Sequence, residues 1–129
     1  MENNWKFKSL QNLEKGQPIA PGYSSHLIKR CTELFNRPLN EYSIEDMRVM
    51  IGQQVGLNYL IPLALEQLKI DILSEGDYYS GDLLTVVLKV DKIFWSKNGA
   101  LLTVLAGLIE SNKDLLLQSN VPLSLLEGF

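Results

Sequence analysis

Four carboxylates and two tyrosines are concentrated in one short stretch of the chain, between Ile70 and Leu88. This stretch contains no lysine and no arginine, so its charge is uniformly negative. Tyrosine offers a rigid contact area at little entropic cost, and carboxylates steer a basic partner into register. The pattern therefore indicates a surface that binds a basic protein. The candidate partner-binding residues are Asp71, Glu75, Asp77, Tyr78, Tyr79 and Asp82.

The same stretch has two other interpretations. It could be a solvated loop between two helices, in which the acids only cap the next helix. It also resembles a twelve-residue calcium loop, with Asp71 at position 1, Gly76 at position 6 and Asp82 at position 12. Position 3 of such a loop must supply an oxygen ligand, and Leu73 stands there instead. We therefore expect no metal at this stretch.

The residue types needed for catalysis are sparse. His26 is the one histidine and Cys31 the one cysteine, too few for a zinc site. The two residues are five positions apart, about 140° around a helix, so they do not share a face. Asp77 and Asp82 could form an acid–base pair, but they have no histidine near them in the sequence. These observations predict a protein without catalytic residues and without a cofactor.

The length and the net charge of the chain further limit the class of protein to which it can belong. A chain of 129 residues fits a single domain, here residues 1–129. The net charge of −3 argues against nucleic acid as the direct ligand, because phosphate contacts need a basic surface. No apolar run reaches about 18 residues, which predicts no membrane span. The first residues lack the pattern of a secretion signal, and a single cysteine fits a reducing cytoplasm.

Apolar residues recur at helical spacing before the acidic stretch. One helix is predicted to start at Ser24 or Ser25 and to end before Pro38. A second helix is predicted from Ser43, because Asp46 follows at capping-box spacing. A third, broadly apolar helix is predicted over residues 57–73. These helices would hold the acidic stretch in place.

The remaining elements follow the acidic stretch. Residues 83–90 fit either a buried strand or a helical face. A clear amphipathic pattern predicts a helix over residues 101–112, and short turns or helices are expected at 115–117 and 121–126. Ile93–Trp95 is an apolar cluster before a predicted loop. Together, the pattern predicts an all-α fold, a compact single-domain bundle of about six to eight helices.

Five blocks of the sequence resemble one known family when taken in order. They are Ser24–Cys31, Arg37–Leu39, Ile44–Leu57, Tyr59–Glu66 and Gly76–Leu84. In these blocks the chain is similar to an immunity protein of bacterial contact-dependent growth inhibition. The resemblance covers about residues 24–95.

The resemblance implies both a fold and a function. The family is helical, which favours a helix over residues 83–90. Such proteins stay in the cytoplasm and bind the toxic C-terminal domain of a cognate surface-displayed effector, here expected to be a basic ribonuclease, in a one-to-one complex. We expect the acidic stretch to occupy the positive cleft of the toxin and to exclude RNA from it.

The resemblance does not identify contact residues, because the recognition surface is expected to vary with the toxin. Trp5–Lys15 and Lys92–Asn98 are therefore alternative contact stretches. Two other functions fit the residues alone. One is a non-catalytic adaptor or regulatory domain that binds another basic protein, and the other is a minor enzyme that uses carboxylates.

Overall fold

The computed structural model describes residues 4–14 and 25–127 of the chain. Within these ranges the chain forms nine α-helices and no strand, which confirms the predicted all-α class. The helices are α1 Leu10–Glu14, α2 Ser25–Phe35, α3 Ile44–Gly52, α4 Leu57–Ile70, α5 Asp82–Leu88, α6 Lys92–Lys97, α7 Gly99–Ser111, α8 Lys113–Leu117 and α9 Leu123–Leu126. None of these helices has the length and apolarity needed to cross a membrane.

The starts of the early helices agree with the sequence signals. Helix α2 begins at Ser25, and α3 begins directly after Ser43. The Ser43 hydroxyl accepts a hydrogen bond from the Asp46 amide at 3.1 Å, and the Asp46 carboxylate accepts one from the Ser43 amide at 3.0 Å. This is the predicted capping box, which satisfies two amides that have no partner inside the helix.

The structure differs from the prediction at the end of α4 and in the segment after Trp95. Helix α4 ends at Ile70, because Asp71 adopts an extended conformation and its carboxylate accepts a hydrogen bond from the Leu73 amide. In the predicted loop at residues 96–99, Gly99 instead begins helix α7, and Ser96 and Lys97 continue helix α6. Asp91 caps that helix by accepting a hydrogen bond from the Ile93 amide at 2.9 Å. Residues 16–22, for which the glycine and proline content predicts a loop, lie outside the described residues.

The core is formed where α3, α4 and α5 pack together, and α7 covers α4. Helix α5 has seven residues and buries six of them, which is why its β-branched sequence is helical here. A helix this short is marginal in isolation, so its stability comes from the contacts of its apolar side chains. Each fully buried apolar side chain of α5 contributes about 1.5–3 kcal/mol to the stability of the fold. The core residues of these four helices with no exposed surface are Met50, Ile51, Leu60, Ile61, Ala64, Leu83, Leu84, Val87 and Leu105.

A buried carboxylate ties helix α2 to the start of α3. Asp46 is 5% exposed, and its two oxygens lie 2.8 Å from Arg30 and 3.2 Å from Arg37. Burial by itself raises the pKa of Asp46. The hydrogen bonds from Ser43 and Arg30 outweigh this effect, so the pKa of Asp46 is lowered overall. Asp46 is thus a pH-dependent link between two helices.

Asp46→Asn is expected to lower the free energy of unfolding at pH 7 by about 1–3 kcal/mol, because hydrogen bonds to a charged group are lost. A carboxyl group with a lowered folded-state pKa stabilises the fold above its unfolded pKa of about 3.9. This contribution is lost as the pH falls through the lower, folded-state value. Urea denaturation at pH 7 and pH 3 should therefore show a difference between wild type and variant that shrinks in acid. The exposed Glu110→Gln on α7 is the control, and an Asp46→Asn effect that is equal at both pH values would contradict the assignment.

Candidate partner-binding site

The acidic stretch forms a closed loop between α4 and α5, called here the acidic loop (residues 71–81). The two ends of the loop are joined at Leu73, whose carbonyl accepts hydrogen bonds from the Gly81 amide at 3.1 Å and from the Ser80 hydroxyl at 3.2 Å. Glu75 and Ser80 form an isolated antiparallel bridge across the loop. These hydrogen bonds give the loop a defined conformation, which a purely solvated loop would lack.

Asp82, the first residue of α5, directs its carboxylate into this loop and is 3% exposed. One of its oxygens accepts a hydrogen bond from the Gly76 amide at 2.6 Å. The other accepts hydrogen bonds from the amides of Tyr78 at 3.1 Å and Tyr79 at 3.4 Å. The sequence interpretation of Asp82 as a cap of the following helix is wrong, because its carboxylate faces back into the loop and Gly81 is the residue before the helix. Because the Asp82 side chain is buried, it is not exposed on the predicted contact surface.

Two residues of helix α3 hold the loop from the other side. Arg48 binds Glu45 through two hydrogen bonds, with Nε 2.6 Å and Nη2 2.5 Å from the two carboxylate oxygens. Glu45 also accepts a hydrogen bond from the Asp77 amide at 2.8 Å. Arg48 Nε lies 3.9 Å from Asp82. One guanidinium is thus shared between two carboxylates that bind the loop backbone.

Hydrogen bonding and burial both change the pKa values of Glu45 and Arg48. The hydrogen bond from Arg48 lowers the pKa of Glu45, burial opposes this effect, and the Asp77 amide reinforces it. The same hydrogen bond raises the pKa of Arg48. The side chains of Glu45 and Arg48 are only 13% and 17% exposed, so solvent screens their attraction less than at an open surface. Both groups are ionised whenever the protein is folded near neutral pH.

The two tyrosines of the loop have different environments. The Tyr78 ring is 72% exposed, and the Arg48 guanidinium lies 4.4 Å from its centroid. The Tyr79 ring is half-buried, and its hydroxyl donates a hydrogen bond to Thr85 at 3.0 Å. Tyr78 is therefore presented to solvent on a cationic support, whereas Tyr79 is fixed to helix α5.

The remaining acids of the loop are exposed. Asp71 uses one oxygen to bind the Leu73 amide at 2.9 Å, and the carboxylates of Glu75 and Asp77 have no hydrogen bond within the described residues. The exposed set, as we call it, consists of Asp71, Glu75, Asp77 and Tyr78. Of the six residues predicted from the sequence, these four have side chains that are exposed to solvent.

Gly76 is required by the close approach of the two carboxylates. A Cβ atom at this position would collide with Glu45 Oε1 and would lie 3.1 and 3.3 Å from the oxygens of Asp82. Any side chain would therefore push apart the groups that bind the loop backbone.

Gly76→Ala is expected to lower the free energy of unfolding by about 1–3 kcal/mol, the usual range for overpacking a closely packed site. The control is Gly107→Ala within helix α7, where a Cβ meets nothing within 4 Å. That variant should gain about 0.5–1 kcal/mol, because alanine favours a helix interior. Chemical denaturation measures both, and a neutral or stabilising Gly76→Ala would contradict the described packing.

The contacts that Glu45 and Arg48 make with the acidic loop were not predicted from the sequence. Their spacing of three residues on a predicted helix indicates an ion pair. Nothing local indicates that this pair lies against a loop about thirty residues later. Among the described residues, no group of three or more histidine, cysteine, aspartate or glutamate side chains is arranged to hold a metal.

The other predicted features are separate from this site. Cys31 is fully buried, and burial raises the pKa of its thiol, whereas His26 is exposed. In the N-terminal stretch, Phe7 is 69% exposed. In helix α6, Ile93 is 61% exposed. These last two positions remain alternative contact points.

Part of the chain matches the model of a known protein family. The model of a family described as CDI immunity proteins, where CDI is contact-dependent growth inhibition, matches residues 12–105. This range extends from helix α1 into helix α7 and includes the whole acidic loop. No curated protein and no solved structure matches the chain significantly.

Proposed function

The chain belongs to the family of CDI immunity proteins, and from this membership we propose that it neutralises one cognate toxin. The toxin is the C-terminal domain of a contact-dependent growth inhibition effector that enters the cytoplasm. The protein binds this domain in a one-to-one complex and acts without catalysis, by covering the surface that the toxin needs. The family match over residues 12–105 carries this proposal.

The charge of the acidic loop supports a nuclease as the toxin. A nuclease must present a positive cleft, because its substrate is a chain of phosphates. From Ile70 to Leu88 the protein has four acids and no basic residue, and three of the acids are exposed. We propose that these carboxylates lie where phosphates would bind, and that the toxin is a ribonuclease. The protein itself then contacts no nucleic acid.

The loop suits this role because it is held in place before binding. Asp82 and Glu45 bind four backbone amides of the loop, so little conformational freedom remains to be lost on association. The exposed acids steer the encounter, while tight binding depends on a few anchors that become desolvated. Tyr78 is the proposed anchor, and Tyr79 supports it from its half-buried position.

The first experiment is a capture of the toxin from the producing strain with the tagged protein. We expect one basic partner at one-to-one stoichiometry, and we expect this partner to cleave RNA only after separation. A captured toxin without ribonuclease activity would contradict the substrate class and leave neutralisation intact. Absence of any CDI toxin in the eluate would contradict the proposed function itself.

Reversing the exposed charges should slow association. Glu75→Lys combined with Asp77→Lys is expected to reduce the association rate about 10- to 100-fold at low salt, because steering is lost. The difference should shrink at high salt, where charges are screened. Stopped-flow or surface-based kinetics at two salt concentrations measure this effect. Glu110→Lys combined with Asp114→Lys is the matched double reversal at exposed positions outside the loop, and an equal effect of both double variants would contradict steering by the acidic loop.

A further inference from the structure

We propose that Arg48 is a positioning residue that governs recognition of the toxin from helix α3, without belonging to the contact surface. The inference rests on the proposed function of the acidic loop. The Arg48 side chain is 17% exposed, and of the exposed set it contacts the Tyr78 ring, whose centroid lies 4.4 Å from its guanidinium. It acts by fixing the conformation in which the loop presents Tyr78 and the exposed acids.

Arg48 reaches the loop by three separate routes. Through Glu45 it supports the carboxylate that binds the Asp77 amide. Through Asp82, 3.9 Å away, it faces the carboxylate that binds the amides on either side of Asp77. Its guanidinium also lies over the Tyr78 ring, 4.4 Å from the ring centroid. A single side chain is therefore linked to the backbone of the loop and to its exposed aromatic group.

The electrostatics explain why the loop depends on this cation. Glu45 and Asp82 converge on Gly76, where a Cβ would contact oxygens of both side chains. Their side chains are 13% and 3% exposed, so water does little to separate their negative charges. Among the described residues, Arg48 is the one cation within 4.0 Å of both. Without it, two poorly hydrated carboxylates face each other, and opening the loop is the way to hydrate them.

Lysine cannot replace arginine in this arrangement. A guanidinium binds one carboxylate through two parallel hydrogen bonds and still offers a flat face to an aromatic ring. An ammonium group is a point charge without this plane. Arg48→Lys therefore keeps the positive charge but loses the two parallel hydrogen bonds and the flat face. An effect of this variant on the loop would show that the shape of the guanidinium is needed and not only its charge.

The test uses two readouts on Arg48→Lys and Arg48→Met. In the free protein, amide hydrogen exchange at Gly76, Asp77, Tyr78 and Tyr79 should accelerate about tenfold or more. In the complex, the dissociation constant for the toxin domain should rise about tenfold or more. The control is Arg30→Lys, which alters an arginine bound to Asp46 and should leave both readouts unchanged. If Arg48→Met does not fold, Arg48→Lys alone decides the question.

The outcomes separate the inference from the proposed function. Unchanged amide exchange in Arg48→Lys would overturn the positioning role whatever the toxin affinity. Faster exchange with unchanged affinity would overturn the control of recognition by Arg48 while toxin neutralisation stands. Failure of the wild-type protein to bind the toxin would overturn the proposed function. Faster exchange together with weaker binding, absent in Arg30→Lys, supports the inference.

Discussion

Replacement of Asp82 by alanine is expected to lower the free energy of unfolding by about 3–5 kcal/mol, because three backbone amides lose their acceptor and each buried polar group left unpaired costs about 1–3 kcal/mol. The carboxylate is 3% exposed, accepts three backbone hydrogen bonds and lies 3.9 Å from Arg48. Alanine leaves these amides without their acceptor and leaves Glu45 as the remaining ion-pair partner of Arg48. Urea denaturation followed by circular dichroism measures the loss.

Two further variants define the cause of that loss. Asp77→Ala removes an exposed carboxylate from the same loop, and its effect should stay within about 0.5 kcal/mol. Asp82→Asn retains one acceptor oxygen without the charge and should fall between wild type and Asp82→Ala. An Asp82→Ala protein as stable as Asp77→Ala would show that the buried hydrogen bonds do not hold the loop.

The contrast between these two aspartates shows where prediction from the sequence ends. Both stand in the same acidic stretch, and no local pattern distinguishes them. Their environments differ because helix α3 packs against the loop, with Glu45 bound to the Asp77 amide across 32 positions of sequence. The sequence could therefore indicate an acidic loop, but not which acid is buried and which is exposed.

The fold was easier to predict than the site, because most of its helices have start signals within a few neighbouring residues. The capping box at Ser43 depends on residues only three positions apart, and the start of α2 depends on a serine before an apolar pattern. Residues 83–90 were ambiguous for a physical reason: a segment buried on nearly all sides has no periodicity to distinguish a strand from a helix. Tertiary packing, rather than intrinsic propensity, decides its conformation.

Helix α6 was missed because its signal is short. Six residues provide fewer than two turns, so the apolar cluster Ile93–Trp95 cannot display a helical repeat. The informative residue is Asp91, whose carboxylate caps the helix. An aspartate just before a segment that contains an apolar run is a recognised start signal, and Asp91, separated from Ile93 only by Lys92, could have indicated the helix.

Tyr78→Ala should weaken binding of the toxin about 30- to 1,000-fold, which corresponds to about 2–4 kcal/mol for the loss of a central aromatic anchor. The free protein should lose less than about 1 kcal/mol of stability, because the ring is 72% exposed and its main contact is with Arg48. A large effect on binding with a small effect on folding is the signature of a contact residue. Isothermal titration calorimetry and urea denaturation of the same variant measure both quantities.

Two matched variants decide whether this effect belongs to Tyr78. Tyr78→Phe keeps the ring over Arg48 and should retain most of the affinity if the ring is the anchor. Phe7→Ala removes an equally exposed aromatic side chain from the alternative N-terminal contact stretch. If Phe7→Ala weakens binding and Tyr78→Ala does not, the N-terminal stretch is the recognition surface. In that case the acidic loop is a structural connection between α4 and α5, and its carboxylates serve the fold rather than the toxin.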